Sequence, residues 1–285
     1  MIVQIDDADD PRLEPYRNVR ERDLVGRDGL FVAEGRVVLE KLIAAHPERL
    51  VSVLVASHRV KSLAGILGGL PSGTPVYSAA QAAMDQVVGF PIHRGILALG
   101  RRPDVNARDL LARLPPAALV VGLIGIANHD NMGGILRNAA AFGVDAVLLD
   151  DSCCDPLYRK AIRVSVGAAL TLPIARAGTA EALVDALVAS RFEIAALSPA
   201  GNVDLDGLDS GPRTAILFGT EGPGLPASIL ARVRSVRIDM VGGFDSLNVA
   251  TTSGIVLHRV KRRPTSDRQR RSSPRQGSRR TPSPW

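Results

Sequence analysis

From Leu119 onward the chain alternates short apolar runs with amphipathic stretches, and few folds accept that rhythm. Runs rich in Val, Ile, Leu and Ala predict strands over 119–124, 146–149, 172–174, 193–197, 214–218 and 236–238. Between them, apolar residues at helical spacing predict helices over 133–142, 179–190, 226–233 and 246–261. Several runs are apolar at successive positions, so both faces of those strands are buried. Strand–helix alternation with strands covered on both sides means an α/β fold with a mostly parallel sheet. In such sheets the ligand crevice lies beyond the carboxyl ends of the strands.

Residues 23–102 read as a smaller α/β unit. FVAEG (31–35) is apolar and ends in Gly, and RVVLEKLIAA (36–45) carries Val38, Leu42 and Ala45 at helical spacing. LVSVLVAS (50–57), TPVYSA (74–79) and GILALG (95–100) have strand character. Prolines and charge mark residues 103–118 as a linker to the larger unit, 119–261. Residues 1–22 are charged and weakly patterned, and are expected to be flexible. The stretch 262–285 is rich in Arg, Ser and Pro and is expected to be disordered.

The net charge of +6 is concentrated in that tail: residues 260–285 hold nine Lys/Arg and one Asp, which leaves 1–259 at −2. Attraction to nucleic acid must therefore come from the tail or from local patches. For the tail, a merely solvated role is equally open. Aromatic residues are 4% of the chain, too few for a platform that stacks successive bases. The two cysteines, Cys153 and Cys154, are adjacent, so no disulfide framework or metal site is expected. MIVQIDDADD lacks the basic and apolar pattern of a signal peptide, and the longest apolar run, 117–127, is too short to span a bilayer. A cytoplasmic location without membrane contact is expected.

Three segments carry the candidate chemistry. In IANHDNMGGILRNAAAFG (126–143) a helix opens after an apolar strand; Asn131 is a candidate cap, and Gly133 and Gly134 permit close approach. Arg137, one turn in, can grip a phosphate or carboxylate with two parallel bonds, although a lone arginine is more often a surface ion-pair partner. His129, beside it, invites a general-base reading. In ILFGTEGPGLP (216–226) a buried strand ends in a glycine-rich turn with one carboxylate, Glu221. The spacing is not that of a dinucleotide fingerprint, and no Lys-Ser/Thr follows for a phosphate loop. Such a turn suits a ligand reached by main-chain hydrogen bonds. In IDMVGGFDSLNVATTSGIVLH (238–258) Ser246 and Asn248 stand at a helix start, where capping alone accounts for each.

Together the three segments resemble the motifs of the SpoU/TrmH family of RNA ribose 2′-O-methyltransferases. The first matches through Asn131, Gly133, Arg137, Phe142 and Gly143, and the second through Phe218, Gly219, Glu221, Gly222, Gly224 and Leu225. The third matches through Ser246, Leu247, Asn248 and Val249, and the intervening stretch through Ser165, Gly167 and Ala168. Asp239, Ala250 and the Gly133-Gly134 pair depart from the commoner pattern. The N-terminal FVAEGRVVLEKL is similar to the start of the small substrate-binding domain found in many members.

The resemblance implies a C-terminal trefoil knot, which chain patterning alone never proposes. It implies S-adenosylmethionine as cofactor, lined by Phe218, Gly219, Glu221, Gly222, Ile238, Met240 and Leu247. It implies Arg137, Asn131, Glu221, Ser246 and Asn248 as catalytic residues, with Glu221 a candidate partner for Arg137, and a homodimer formed through the knotted region. The implied substrate is structured RNA, ribosomal or transfer, with ribosomal favoured. Arg17, Arg20, Arg22, Arg27 and Arg36, with Arg101-Arg102 of the connector, are candidate RNA contacts or ordinary solvated surface. The main alternative is a knotted RNA-binding module without catalysis. A nicotinamide-dependent oxidoreductase finds acidic residues at Asp150 and Asp151, but NHDNMGG is a poor cofactor turn.

Overall fold

A computed structural model describes residues 2–17, 29–241 and 246–260. Arg20, Arg22, Arg27, the 242–243 Gly-Gly pair and the 262–285 tail lie outside the described residues.

The first of two sheets has five strands: β1 (Ile2–Ile5), β2 (Leu30–Glu34), β3 (Leu50–Ala56), β4 (Val76–Ala79) and β5 (Ile96–Arg101). Their order is β1-β4-β3-β5-β2. β4 runs parallel to β1 and β3, whereas β5 is antiparallel to β3 and β2. The N-terminus departs from the expectation of a flexible 1–22. Ile2–Ile5 pairs with Val76–Ala79, and a 3-10 helix, Pro11–Tyr16, follows with Leu13 and Tyr16 fully buried. The Tyr16 hydroxyl shares a 2.7 Å hydrogen bond with Ser52 Oγ. A four-residue edge strand is too short to show a period, and Pro11 and Pro15 mask the helical turn.

The second sheet has seven strands: β6 (Ala118–Leu123), β7 (Ala146–Leu149), β8 (Ile174–Arg176), β9 (Glu193–Leu197), β10 (Val203–Asp204), β11 (Arg213–Phe218) and β12 (Arg234–Arg237). The order is β10-β12-β9-β11-β6-β7-β8, and every neighbouring pair is parallel. The expected parallel sheet is therefore present. All of β6 is buried, and at Gly122 a β-carbon would lie 2.4 Å from Leu217 Cδ2. The 103–118 connector is more ordered than expected. It holds a helix, Ala107–Arg113, capped by Asn106 and burying Leu111. The helix expected over 226–233 shrinks to Ala227–Leu230, and a turn over 231–233 leads into β12. The short helices Arg159–Val164 and Ala168–Thr171 were not expected, because their apolar stripes span barely a turn.

One face of the seven-stranded sheet packs against Leu111, Leu183 and Leu187. The other packs against helices His129–Ala141 and Val249–Val260, and its apolar cluster continues into Phe31, Val38, Leu39 and Leu42 of the first unit. A half-buried ion pair crosses this seam: Arg159 Nη1 lies 2.7 Å from Oε2 of the buried Glu34, with the Arg159 guanidinium 4.1 Å from the Phe90 ring centre. Arg102 pairs with Asp155 along the same seam. Burial is affordable for such charges only when each has a close partner. No helix among the described residues is long and apolar enough to cross a membrane.

Candidate active site

The first segment folds as the helix His129–Ala141, which starts earlier than the glycines suggested. Asn128, not Asn131, is its cap, accepting from the Asp130 amide at 2.8 Å. Asn131 is thereby free for another task. It is 7% exposed, and its Oδ1 accepts from Asn248 Nδ2 at 2.8 Å. The two glycines serve neighbouring helices. A β-carbon on Gly133 would stand 2.6 Å from Val164 Cβ, and one on Gly134 2.7 Å from Ala250 Cβ.

In the second segment β11 runs, buried, to Phe218 and then turns. Gly219 passes so close to the returning strand that a β-carbon would lie 2.5 Å from the main-chain atoms of Gly224 and Leu225. Gly222 (φ 85°) and Gly224 (φ 71°) adopt left-handed backbone that other residues resist. Glu221 projects from this turn, exposed. Its Oε1 accepts from Asn248 Nδ2 at 2.8 Å, not from Arg137 as expected.

The third segment closes the arrangement. Asn248 caps the helix Val249–Val260, its Oδ1 accepting from the amides of Ala250 (3.0 Å) and Thr251 (3.2 Å). The capping role and a site role thus coincide in one side chain: the oxygen holds the helix while the nitrogen holds Asn131 and Glu221. Asn138 adds a second tie that the sequence reading missed. Its Nδ2 donates to Ala250 O (2.8 Å) and Ser253 Oγ (2.9 Å), fastening the first helix to the last.

These elements enclose a cleft of about 420 Å³ beyond the carboxyl ends of β9, β11 and β12. Phe218, Gly219, Glu221, Gly222, Ile238, Met240 and Leu247 line it, with Ser246 and Asn248. So do Leu197 at the end of β9 and Ser198 and Pro199 after it, which the sequence reading missed. The signal available was an apolar strand running straight into a Ser-Pro turn. Among the described residues that line the cleft there is one carboxylate, Glu221, and no Lys or Arg. Arg137 is not among them. It is exposed, and no ion pair joins it to a described residue.

Of the four expected RNA-contact arginines among the described residues, three are engaged locally. Arg17 meets Glu14 (2.7 Å), Asp9 (3.1 Å) and Ala8 O (2.6 Å); Arg36 meets Glu40 (2.7 Å); Arg102 meets Asp155. Arg101 is exposed at the end of β5. His129 stacks its ring 4.0 Å from that of Tyr158. Burial, reinforced by Asp150, pushes the Cys153 thiol up to about 12, so it stays protonated and inert at neutral pH.

The profile of the SpoU rRNA methylase family matches residues 118–258, the stretch that contributes every element of this cleft. An uncharacterized tRNA/rRNA methyltransferase of Mycobacterium tuberculosis is 38% identical over 268 residues, covering 90% of this chain and 91% of its own length. The chain belongs to the SpoU rRNA methylase family. A similarly described protein of Mycobacterium avium is 30% identical over 262 residues, 90% of this chain and 82% of that one. Among solved structures, the AdoMet-bound rRNA methyltransferase of Sinorhizobium meliloti superposes with a TM-score of 0.78 at 21% identity, covering 90% of this chain and 97% of that one. The SpoU methyltransferase AviRb of Streptomyces viridochromogenes, in complex with AdoMet, gives 0.76 at 21% identity, covering 93% and 100%. At such identities these structures establish a shared fold for this SpoU family member, and its chemistry must be argued from its own residues.

Proposed function

We propose that this protein transfers a methyl group from S-adenosylmethionine to a ribose 2′-hydroxyl in structured RNA, ribosomal RNA ahead of transfer RNA. One observation carries the reading: a single amide, Asn248, gathers all three motif segments at a glycine-walled cleft whose lining, among the described residues, holds a carboxylate and no cation. A dinucleotide or nucleoside phosphate calls for a cationic cradle or free amides at a helix N-terminus, and here Asn248 Oδ1 takes the Ala250 and Thr251 amides. A ligand with a positive sulfonium and no phosphate fits the cleft as built. Phe218, Ile238, Met240 and Leu247 supply apolar walls, and the turn at 219–224 brings main-chain groups close. When bound, S-adenosylmethionine supplies a methyl group already activated by the sulfonium charge.

The chain's task is then to hold the ribose and favour loss of the hydroxyl proton. A guanidinium is always protonated, so Arg137 acts as a clamp on the nucleotide phosphate and on the developing oxyanion rather than as a base. The proton leaves to that phosphate or to water. Asn131 and Glu221, fixed by Asn248, orient the ribose, and Ser246 at the cleft rim hydrogen-bonds the nucleotide. The 2′-hydroxyl distinguishes RNA from DNA, which sets the substrate class. Residues 23–102 serve as the RNA-delivering unit and 119–261 as the catalytic one. The C-terminal segment is knotted through the 219–224 turn, and two copies pair through that region in the cytoplasm. Supporting the knot, the last helix returns to pack on helix His129–Ala141.

The test is transfer of labelled methyl from S-adenosylmethionine to total RNA, followed by digestion to nucleosides. Label in 2′-O-methylated nucleosides supports the reading; label on bases, or no transfer despite cofactor binding, overturns it. Asn248→Asp probes the tie separately from the cap. The carboxylate still accepts from Ala250 and Thr251, so the melting temperature should shift little, whereas both donated bonds are lost beside Glu221. Methyl transfer should fall about a hundredfold. Labelled-methyl assays and thermal melts of the variant beside the parent protein check both halves.

A further inference from the structure

We infer that Arg59 and Arg94 form a clamp for the RNA backbone at one end of the five-stranded sheet, an inference that rests on the RNA substrate proposed above. At this end β2 and β3 stop and β5 begins, with Gly35 N donating to Ile96 O (3.1 Å) and Ala56 N to Gly95 O (2.9 Å). The two glycines there make beds for the two arginines. Gly35 (φ 100°) carries the Arg94 side chain: a β-carbon would meet Cδ at 2.7 Å and Nη1 at 2.8 Å. Gly95 (φ 63°) carries Arg59, whose Cγ would be 2.8 Å from an added β-carbon. The stems are thus laid against main chain while both residues remain exposed.

Four carboxylates of these elements already have partners, Asp6 past the end of β1 accepting from Gln4 Nε2 at 3.4 Å. Glu34 takes Arg159 (2.7 Å) and Glu40 takes Arg36 (2.7 Å), while Asp85 accepts from Gln81 Nε2 and the Ile92 amide at 2.8 Å each. No ion pair joins Arg59 or Arg94 to a described residue. On a body whose net charge is −2 over 1–259, two exposed arginines laid on neighbouring strand ends, with no ion-pair partner among the described residues, make a local anion site. Arginine forks match phosphate geometry with two parallel bonds, and backbone contacts position a nucleic acid without reading its sequence. The surface also leads to the reaction centre. Arg159 reaches Glu34 here from helix Arg159–Val164, and the next residue, Lys160, pairs with Asp130 (2.6 Å) on the helix that carries Arg137. An RNA strand held at Arg59 and Arg94 can continue along that line to the cleft.

The experiment measures binding of the full chain to a labelled 24-nucleotide RNA hairpin across a salt series, with methyl-transfer kinetics on total RNA. R59A/R94A should bind the hairpin about tenfold more weakly near 0.1 M salt, and the log–log salt slope should fall by about two. KM for RNA should rise while kcat and cofactor affinity stay put. R59K/R94K should keep the slope. A parent protein that binds RNA alongside an R59A/R94A variant with the same affinity and slope overturns the clamp alone. A parent protein that neither binds nor methylates RNA overturns the substrate reading and the clamp with it.

Discussion

Arg137→Ala is expected to lower methyl transfer by about three orders of magnitude, the upper range for losing one transition-state donor, while cofactor affinity stays within about twofold. Three features of the structure support this separation. Arg137 is absent from the lining of the 420 Å³ cleft, so removing it leaves the cofactor walls intact. The helix that carries it is pinned from two sides, at Gly133 by Val164 and at Gly134 by Ala250, and fastened again by Asn138. The base of the side chain is therefore fixed even though its tip is exposed. Arg137→Lys keeps the charge and loses the fork, so an intermediate loss of about ten- to a hundredfold follows if bidentate phosphate contact matters. Calorimetry with S-adenosylmethionine beside a labelled-methyl assay checks both halves. Near-normal turnover in Arg137→Ala would remove the clamp from the mechanism, and a parallel loss of cofactor affinity would recast Arg137 as a structural support.

What the sequence shows and hides follows from which signals are local. The strands of the second sheet are legible because β6 and β11 are buried along nearly their whole length, and burial writes itself as an unbroken apolar run. Asn131, Glu221 and Asn248 can be singled out by motif, but not their meeting, which spans 117 residues between Asn131 and Asn248. The capping assignment went to Asn131 because the glycines after it resemble a helix start; Asn128 satisfies the same rule and wins it. The RNA-facing arginines were the weakest reading. A one-dimensional count cannot see that Arg17, Arg36 and Arg102 have carboxylate partners while Arg59 and Arg94 have none among the described residues. Charge only becomes a surface after ion pairs are subtracted, and pairs across a seam, such as Glu34 with Arg159, are set by tertiary structure.

The same reasoning separates two glycines in the 219–224 turn. Gly219→Ala is expected to abolish cofactor binding at any practical concentration and to destabilise the fold by about 1–3 kcal/mol, the usual cost of forced overpacking. The added β-carbon would sit 2.5 Å from Gly224 C and Leu225 N and 2.8 Å from Gly224 O, all main-chain atoms that no rotamer change can move aside. Relief requires the turn to open, which pulls Glu221 from Asn248 and shifts the wall formed by Gly219 and Gly222. Gly222→Ala is the contrasting case. Nothing lies within 4 Å of its added β-carbon, and the only penalty is the left-handed backbone at φ 85°, about 1–2 kcal/mol. That variant should bind cofactor within about tenfold of the parent and melt a few degrees lower. Calorimetry and thermal melts on both proteins read the difference. If Gly219→Ala binds as tightly as Gly222→Ala, the close crossing at Gly219 is not what shapes the cleft, and the cofactor must be held by the walls from β9 and the 246–248 segment instead.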